Sequence, residues 1–83
     1  MAGRAFKDQL HEQFARIGKA LSSPKRLEIL DLLAQGEKPV EAIAGQTALS
    51  IKNASAHLRE LRNARLVETR KEPDVSIGAL PTW

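Results

Sequence analysis

Cysteine is absent from this chain of 83 residues. That absence excludes a disulfide framework, a thiol nucleophile, a thiolate metal site and thiol-based redox sensing within the chain. No apolar run approaches the ~20 residues that span a bilayer, and the N-terminal "MAGRAFKDQLHEQF" lacks the unbroken apolar core of a signal peptide. A soluble, cytoplasmic protein with no membrane partner is the expectation. Phosphate-cradling loops, paired acid sites and cofactor motifs are missing as well, and internal repeats and low-complexity segments are not found. Ser55 and His57, two apart on a helix, diverge by about 200° and cannot meet as nucleophile and base. No enzyme activity and no cofactor are therefore expected.

What remains is enough chain for one domain, spanning 1–83, with a small core: at this length only about 60% of the unfolded surface can be buried, so self-association or a partner is expected to add stability. The net charge of +3 is unevenly placed. Lys52, Arg59, Arg62, Arg65, Arg70 and Lys71 stand against Glu60 and Glu68 between residues 50 and 71, a local +4, while the remainder sums to −1. A basic segment on a near-neutral body suits a polyanion, although a solvated helix face produces such clusters too.

Apolar periodicity predicts four helices. Phe6, Leu10, Phe14, Ile17 and Leu21, spaced 4, 4, 3 and 4 apart, form one stripe of a helix over 4–21. A second helix over 24–35 is punctuated by Ser23 as cap, Pro24 in the first turn and Gly36 as stop, and its Leu27, Ile29, Leu30, Leu32 and Leu33 cover more than one face, which makes it central. "EKPV" reads as an extended connector in which Val40 can pair briefly as a strand. A short helix over 40–46, with Ile43 and Ala44 inward, and a longer one over 51–64 capped by Ser50 follow. The inward stripe of the latter is Ile51, Ala54, Leu58 and Leu61. "LVETRK" reads as a strand.

A short helix, a turn and a capped amphipathic helix are the arrangement that carries a second helix into the major groove of double-stranded DNA. Opposite the apolar stripe stand Lys52, Asn53, Ala56 and Arg59. Asn53 suits a bidentate pair with adenine, Lys52 suits guanine or a phosphate, and Ala56 allows close approach or contact with a thymine methyl. Ser50 and Ser55 can bond phosphate or base, His57 on the flank can donate to phosphate, and Arg59, Arg62, Arg65, Arg70 and Lys71 are candidates for sequence-independent phosphate contacts. For each of them the bland alternative is a solvated helix or strand residue.

"IGKALSSPKRLEILDLLAQGEKPVEAIA" followed by "LSIKNASAHLRELRNARLVETRKE" resembles the ArsR/SmtB family of bacterial winged helix-turn-helix repressors across about residues 14–72. The resemblance implies a mainly α fold of four helices with a small β wing, and homodimers that bind operator DNA and release it when an inducer, often a metal ion, is bound. The first helix onward is also similar to regulators fused to a downstream rhodanese-like domain, a likeness that says nothing of sulfur chemistry in this chain.

Three departures from the family pattern stand out. "EKPVEAIAG" has no cysteine motif where many metal sensors carry one, so thiolate sensing of arsenic or cadmium is not expected. The chain reaches Trp83 without the fifth helix through which other members bind metal, and Asp8, His11 and Glu12, the one conceivable cluster, read as an exposed helix face. No metal site is expected, and the inducer is left open. The wing is expected to be a reduced hairpin over 66–77, with Val75 and Ile77 its only alternating pair and an acidic tip at Asp74, followed by a tail over 78–83. Without the last helix, Phe6, Leu10 and Phe14 would serve both the core and dimerisation. The leading expectation is a sequence-specific regulator, a repressor acting as a homodimer on a palindromic operator. The rival is a shortened winged helix that pairs with proteins and binds DNA weakly or not at all.

Overall fold

Helix capping sets the boundaries of most elements. In the computed structural model, which describes residues 2–81, the order is α1 (Ala2–Leu21), α2 (Pro24–Leu33), β1 (Lys38–Pro39), α3 (Val40–Gln46), α4 (Ile51–Asn63), β2 (Glu68–Glu72) and β3 (Val75–Ala79). Met1, Thr82 and Trp83 lie outside the described residues. The Ser23 side chain accepts from the Arg26 amide at 3.3 Å, with Pro24 next to it where no amide hydrogen is needed. α2 closes at Leu33, two residues short of the expected end, and Gly36 turns the chain out at φ 136°.

α3 and α4 end alike. Ala48 (φ 57°) comes after α3 and lets the Leu49 amide donate back to the Ala44 carbonyl at 2.9 Å; Arg65 (φ 61°) comes after α4 and lets the Leu66 amide donate to the Leu61 carbonyl at 2.9 Å. Each is a Schellman stop built on a residue other than glycine, so the left-handed backbone is held in place by the next residue along: Leu49 and Leu66 both pack against the core. In the helix-turn-helix corner, Thr47 is buried and its hydroxyl donates to the Ile43 carbonyl at 2.7 Å.

The core joins Ala20, Ile29, Leu33, Val40, Ile43, Ala44, Ala54, Leu58, Leu61, Ala64 and Val67. Three expectations about it need correction. Phe6, Leu10 and Phe14 do not enter it: they are exposed, and α1 meets the core only through Ile17 and Ala20 near its C-terminal end. Ile51 does not share the buried stripe of Ala54, Leu58 and Leu61, being 53% exposed, because a first-turn residue has no preceding turn to cover it. Val40 opens α3 and is buried; the short pairing of the connector falls on Lys38 and Pro39 instead.

The wing is also more complete than expected. β2 and β3 pair antiparallel from Glu68–Ala79 to Glu72–Val75, and β1 adds to the other edge of β3 through Lys38–Gly78 and Pro39–Ile77, giving the sheet order β1-β3-β2. Leu66 and Val67 precede the strand and fill the core, and the strand that returns runs to Ala79, so residues 78 and 79 are sheet and not tail. Gly78 is the reason. A Cβ there would stand 3.1 Å from Ile43 Cδ1, 3.5 Å from Leu58 Cδ2 and 3.8 Å from Leu33 Cδ1, so the bare backbone of β3 lies directly on α2, α3 and α4. Close approach replaces the aromatic side chains that the return strand lacks.

Gly78→Val forces side-chain volume into this contact and is expected to destabilise the domain by about 1–3 kcal/mol, measured as a lower urea midpoint at unchanged slope. A midpoint equal to wild type would show that β3 does not rest on the core in this way.

Candidate nucleic-acid interface

α4 presents its N-terminal turns outward because its other side is fully committed. Ala54, Leu58 and Leu61 are buried, and the Ser50 hydroxyl accepts from the Asn53 amide at 3.0 Å, ordering the first turn. Lys52, Asn53 and Ala56 are exposed on the first two turns, and Arg59 comes one turn later on the same side. Ser55 is half-buried and faces the wing, where it shares a shallow cleft with Arg59, Arg62, Thr69 and Ser76. Lys71 lies across a second cleft that also contains Ile51 and Ser55. Ser55, Arg59, Arg62 and Lys71 thus line the clefts between α4 and the wing, while Lys52, Asn53 and Ala56 are exposed on the first turns of the helix that Ser50 caps.

Other predicted residues are used differently. Arg70 points its guanidinium at Glu37, with Nη–O distances of 2.6 and 2.7 Å, and its Nε donates to Glu72 at 2.8 Å. The two carboxylates hold Arg70 firmly protonated, and its hydrogen bond to Glu37 in turn holds that carboxyl below its usual range. Its charge is locally balanced, which makes it a brace between the connector and the wing more than a free phosphate ligand. Arg65 occupies the left-handed stop at the far end of α4, away from Lys52 and Asn53. Arg62 donates to the Thr69 hydroxyl at 3.2 Å, tying α4 to β2.

His57 is turned inward toward α2. Arg26 donates from Nε to the Ala20 carbonyl at 2.9 Å, from one Nη to the Lys19 carbonyl at 2.9 Å and from the other to His57 Nδ1 at 3.2 Å. A guanidinium only donates, so Nδ1 must accept and the ring proton sits on Nε2. Lys25 adds a bond from Nζ to the Thr47 carbonyl, so consecutive basic residues of α2 clamp the end of α1, the helix-turn-helix corner and α4 together. Sequence reasoning missed Arg26 and Thr47, because the contacts from Arg26 to His57 and from Lys25 to the Thr47 carbonyl join residues far apart in the chain, and nothing in "SSPKRLE" shows which cation turns inward. Asp74, exposed at the hairpin tip, is as expected the acidic end of the wing. Among the described residues no His, Cys, Asp and Glu group is arranged to hold a metal ion, and no helix is long and apolar enough to cross a membrane.

Burial first, and then the charges of Arg26 and Lys25, push the His57 imidazole below its ordinary value of 6.5. The neutral ring is favoured in the fold, so the unfolded chain takes up the proton first: this contribution is intact above about pH 6.5 and is lost as the pH falls through that value. Urea midpoints compared at about pH 7.5 and about pH 5.5 are expected to drop further for wild type than for His57→Gln. Equal drops would overturn the assigned tautomer and contact.

Against known proteins, residues 23–69 match the model of the bacterial regulatory protein, arsR family. The HTH-type transcriptional regulator Rv0324 of Mycobacterium tuberculosis is 53% identical over 73 residues, covering 87% of this chain and 32% of that protein. The arsenical resistance operon repressor of Staphylococcus xylosus is 39% identical over 61 residues, covering 74% of this chain and 59% of the repressor. The chain thus spans about a third of one of these regulators and somewhat over half of the other. Among solved structures, the homodimeric winged helix-turn-helix DNA-binding domain of a possible ArsR-family regulator from Mycobacterium bovis superposes with a TM-score of 0.84 at 49% identity, covering 89% of this chain and 68% of that one. With the model matched over more than half of its residues and the same four helices and wing, the chain is a winged helix-turn-helix member of the arsR family of bacterial regulatory proteins, a family of regulators and not of enzymes.

Proposed function

We propose that this domain is a sequence-specific DNA-binding transcriptional regulator that acts as a homodimer on a palindromic operator and represses transcription from it, in the bacterial cytoplasm. The observation that carries this reading is the N-terminal half of α4, where the Ser50 cap, Lys52, Asn53 and Ala56 project from a helix whose opposite side is locked by Ala54, Leu58 and Leu61. Inserted into a major groove, that half brings Asn53 and Lys52 to base edges, and the amide-rich helix end favours nearby phosphate. Arg59, Arg62 and Lys71 on the wing side supply cations for the backbone on either side of the groove. The name of the Staphylococcus xylosus relative, an operon repressor, supports the direction of regulation.

Dimerisation is supported by α1. Phe6 is 65% and Phe14 58% exposed, with Leu10 one turn from each, an apolar stripe that the domain's own core leaves uncovered. A second copy of the chain covers it in this reading, and two copies related by a two-fold axis place their α4 helices in half-sites about 34 Å apart. The Mycobacterium bovis domain is described as homodimeric.

Lys52→Ala/Asn53→Ala is expected to lose sequence preference in a gel shift, by roughly 1–3 kcal/mol for each base contact removed. Lys71→Ala should instead weaken all duplexes alike and lower the salt-dependence slope by about one. Unchanged affinity and preference in the double variant would sink the assigned reading surface. Separately, Phe6→Glu/Phe14→Glu should sediment as a monomer at concentrations where wild type is dimeric, since a carboxylate cannot be buried on the shared stripe without cost. A variant dimer of unchanged stability would overturn the α1 interface.

A further inference from the structure

Ile51 is the one large apolar side chain of α4 that the core does not take. It stands at the first helical position, 53% exposed, directly after the capping Ser50 and before Lys52. On the wing, Val75 is 39% exposed, and both line the cleft of about 220 Å³ whose walls also carry Pro39, Val40, Lys71 and the carboxylates of Glu41 and Asp74. The helix bond from Cα to Cβ tilts toward the N-terminus, so the Ile51 side chain leans toward the end of α4 that carries Lys52 and Asn53. An apolar group placed there is next in the helix to Lys52, with Lys71, Glu41 and Asp74 lining the same cleft, so what sets it apart is apolar surface at the N-terminal end of α4 and not a cationic surround.

We propose that Ile51 is a specificity-determining residue that reads the C5-methyl group of a thymine at the operator edge nearest the wing. The assignment rests on the DNA-binding reading of α4 given above. The occupant is identified by position: Ile51 opens the end of α4 assigned to the major groove, and the thymine methyl is the apolar group that a DNA major groove displays. Ile51 cannot donate or accept a hydrogen bond, so whatever selectivity it adds is selectivity for that methyl and for shape. Ala56, the other apolar residue of the outward face, is exposed on the next turn.

The test uses a duplex enriched by the wild-type protein from a random library, remade with deoxyuridine in place of each thymidine in turn, which deletes the methyl and leaves pairing intact. Wild type is expected to lose about fourfold in affinity at one position in each half-site, the factor that corresponds to one buried methyl-sized group. Ile51→Ala should bind the thymine duplex more weakly by a similar factor and show no further loss on the uracil duplex at that position. Circular dichroism and the urea midpoint of Ile51→Ala should match wild type, because the side chain it removes lies outside the core. Two results overturn the assignment while leaving DNA binding in place: wild type indifferent to every uracil replacement, as it would be if a protein partner covers Ile51, or Ile51→Ala retaining the full wild-type penalty, which would move the contact to another residue. Failure to enrich or bind any duplex at low salt overturns the DNA-binding reading itself, and this assignment with it.

Discussion

Everything on the outer face of this domain depends on the seam where α4 and β3 meet α2 and α3. Ala54, Leu58 and Leu61 fix the rotation of α4 about its own axis, and the missing side chain of Gly78 lets β3 lie against Ile43, Leu58 and Leu33. A helix rotated by one residue would bury Arg59 and Arg62 or Asn53 and Glu60 and expose Leu58, which a core this small could not tolerate. The same seam sets the height of the wing relative to the helix. Lys71 of the wing and Ile51 of α4 border one cleft.

The charges of the basic segment divide into those that build the fold and those left for a partner. Arg70 is committed to Glu37 and Glu72, Arg62 reaches Thr69, and Lys19 pairs with Glu60 at 3.6 Å. Arg26 is spread over two α1 carbonyls and His57, which stitches α1, α2 and α4 together. Lys52, Arg59, Arg65 and Lys71 retain their charge toward solvent, as does Arg62, whose partner is a neutral hydroxyl. The local excess read from composition is thus only partly available to a polyanion. Part of what is available, Arg59, Arg62 and Lys71, lines the clefts between α4 and the wing.

Apolar surface divides in the same manner. The stripe on α1 and the first residue of α4 are both uncovered, at opposite functional ends of the molecule: Phe6 and Phe14 on the long first helix, Ile51 beside the wing. One is broad and aromatic, the kind of surface a second copy covers; the other is a single branched side chain at the start of α4, beside the wing.

Much of this was legible in the sequence. Ser23, Pro24 and Ser50 marked helix starts because capping is a local matter of one side chain and one amide, and the spacing of Ala54, Leu58 and Leu61 marked the inward side of α4 because helical geometry is fixed. The family resemblance came from those same residues in order. Ile51 extended the apolar spacing by one step, yet periodicity records direction around a helix and not how far the neighbouring elements reach along it. The wing was underestimated for a related reason: Gly78 carries no hydropathy signal, and its value lies in what stands 3.1 Å away from a side chain it does not have. Arg26, Arg70 and His57 were charges without partners until the fold brought Ala20, Glu37 and α2 beside them. The sequence determined which elements form and which side of each is apolar, since those are set by neighbours within a few residues; only tertiary packing decided which charges are balanced, which apolar residues stay outside and how close the wing sits to α4, since those depend on contacts between distant segments.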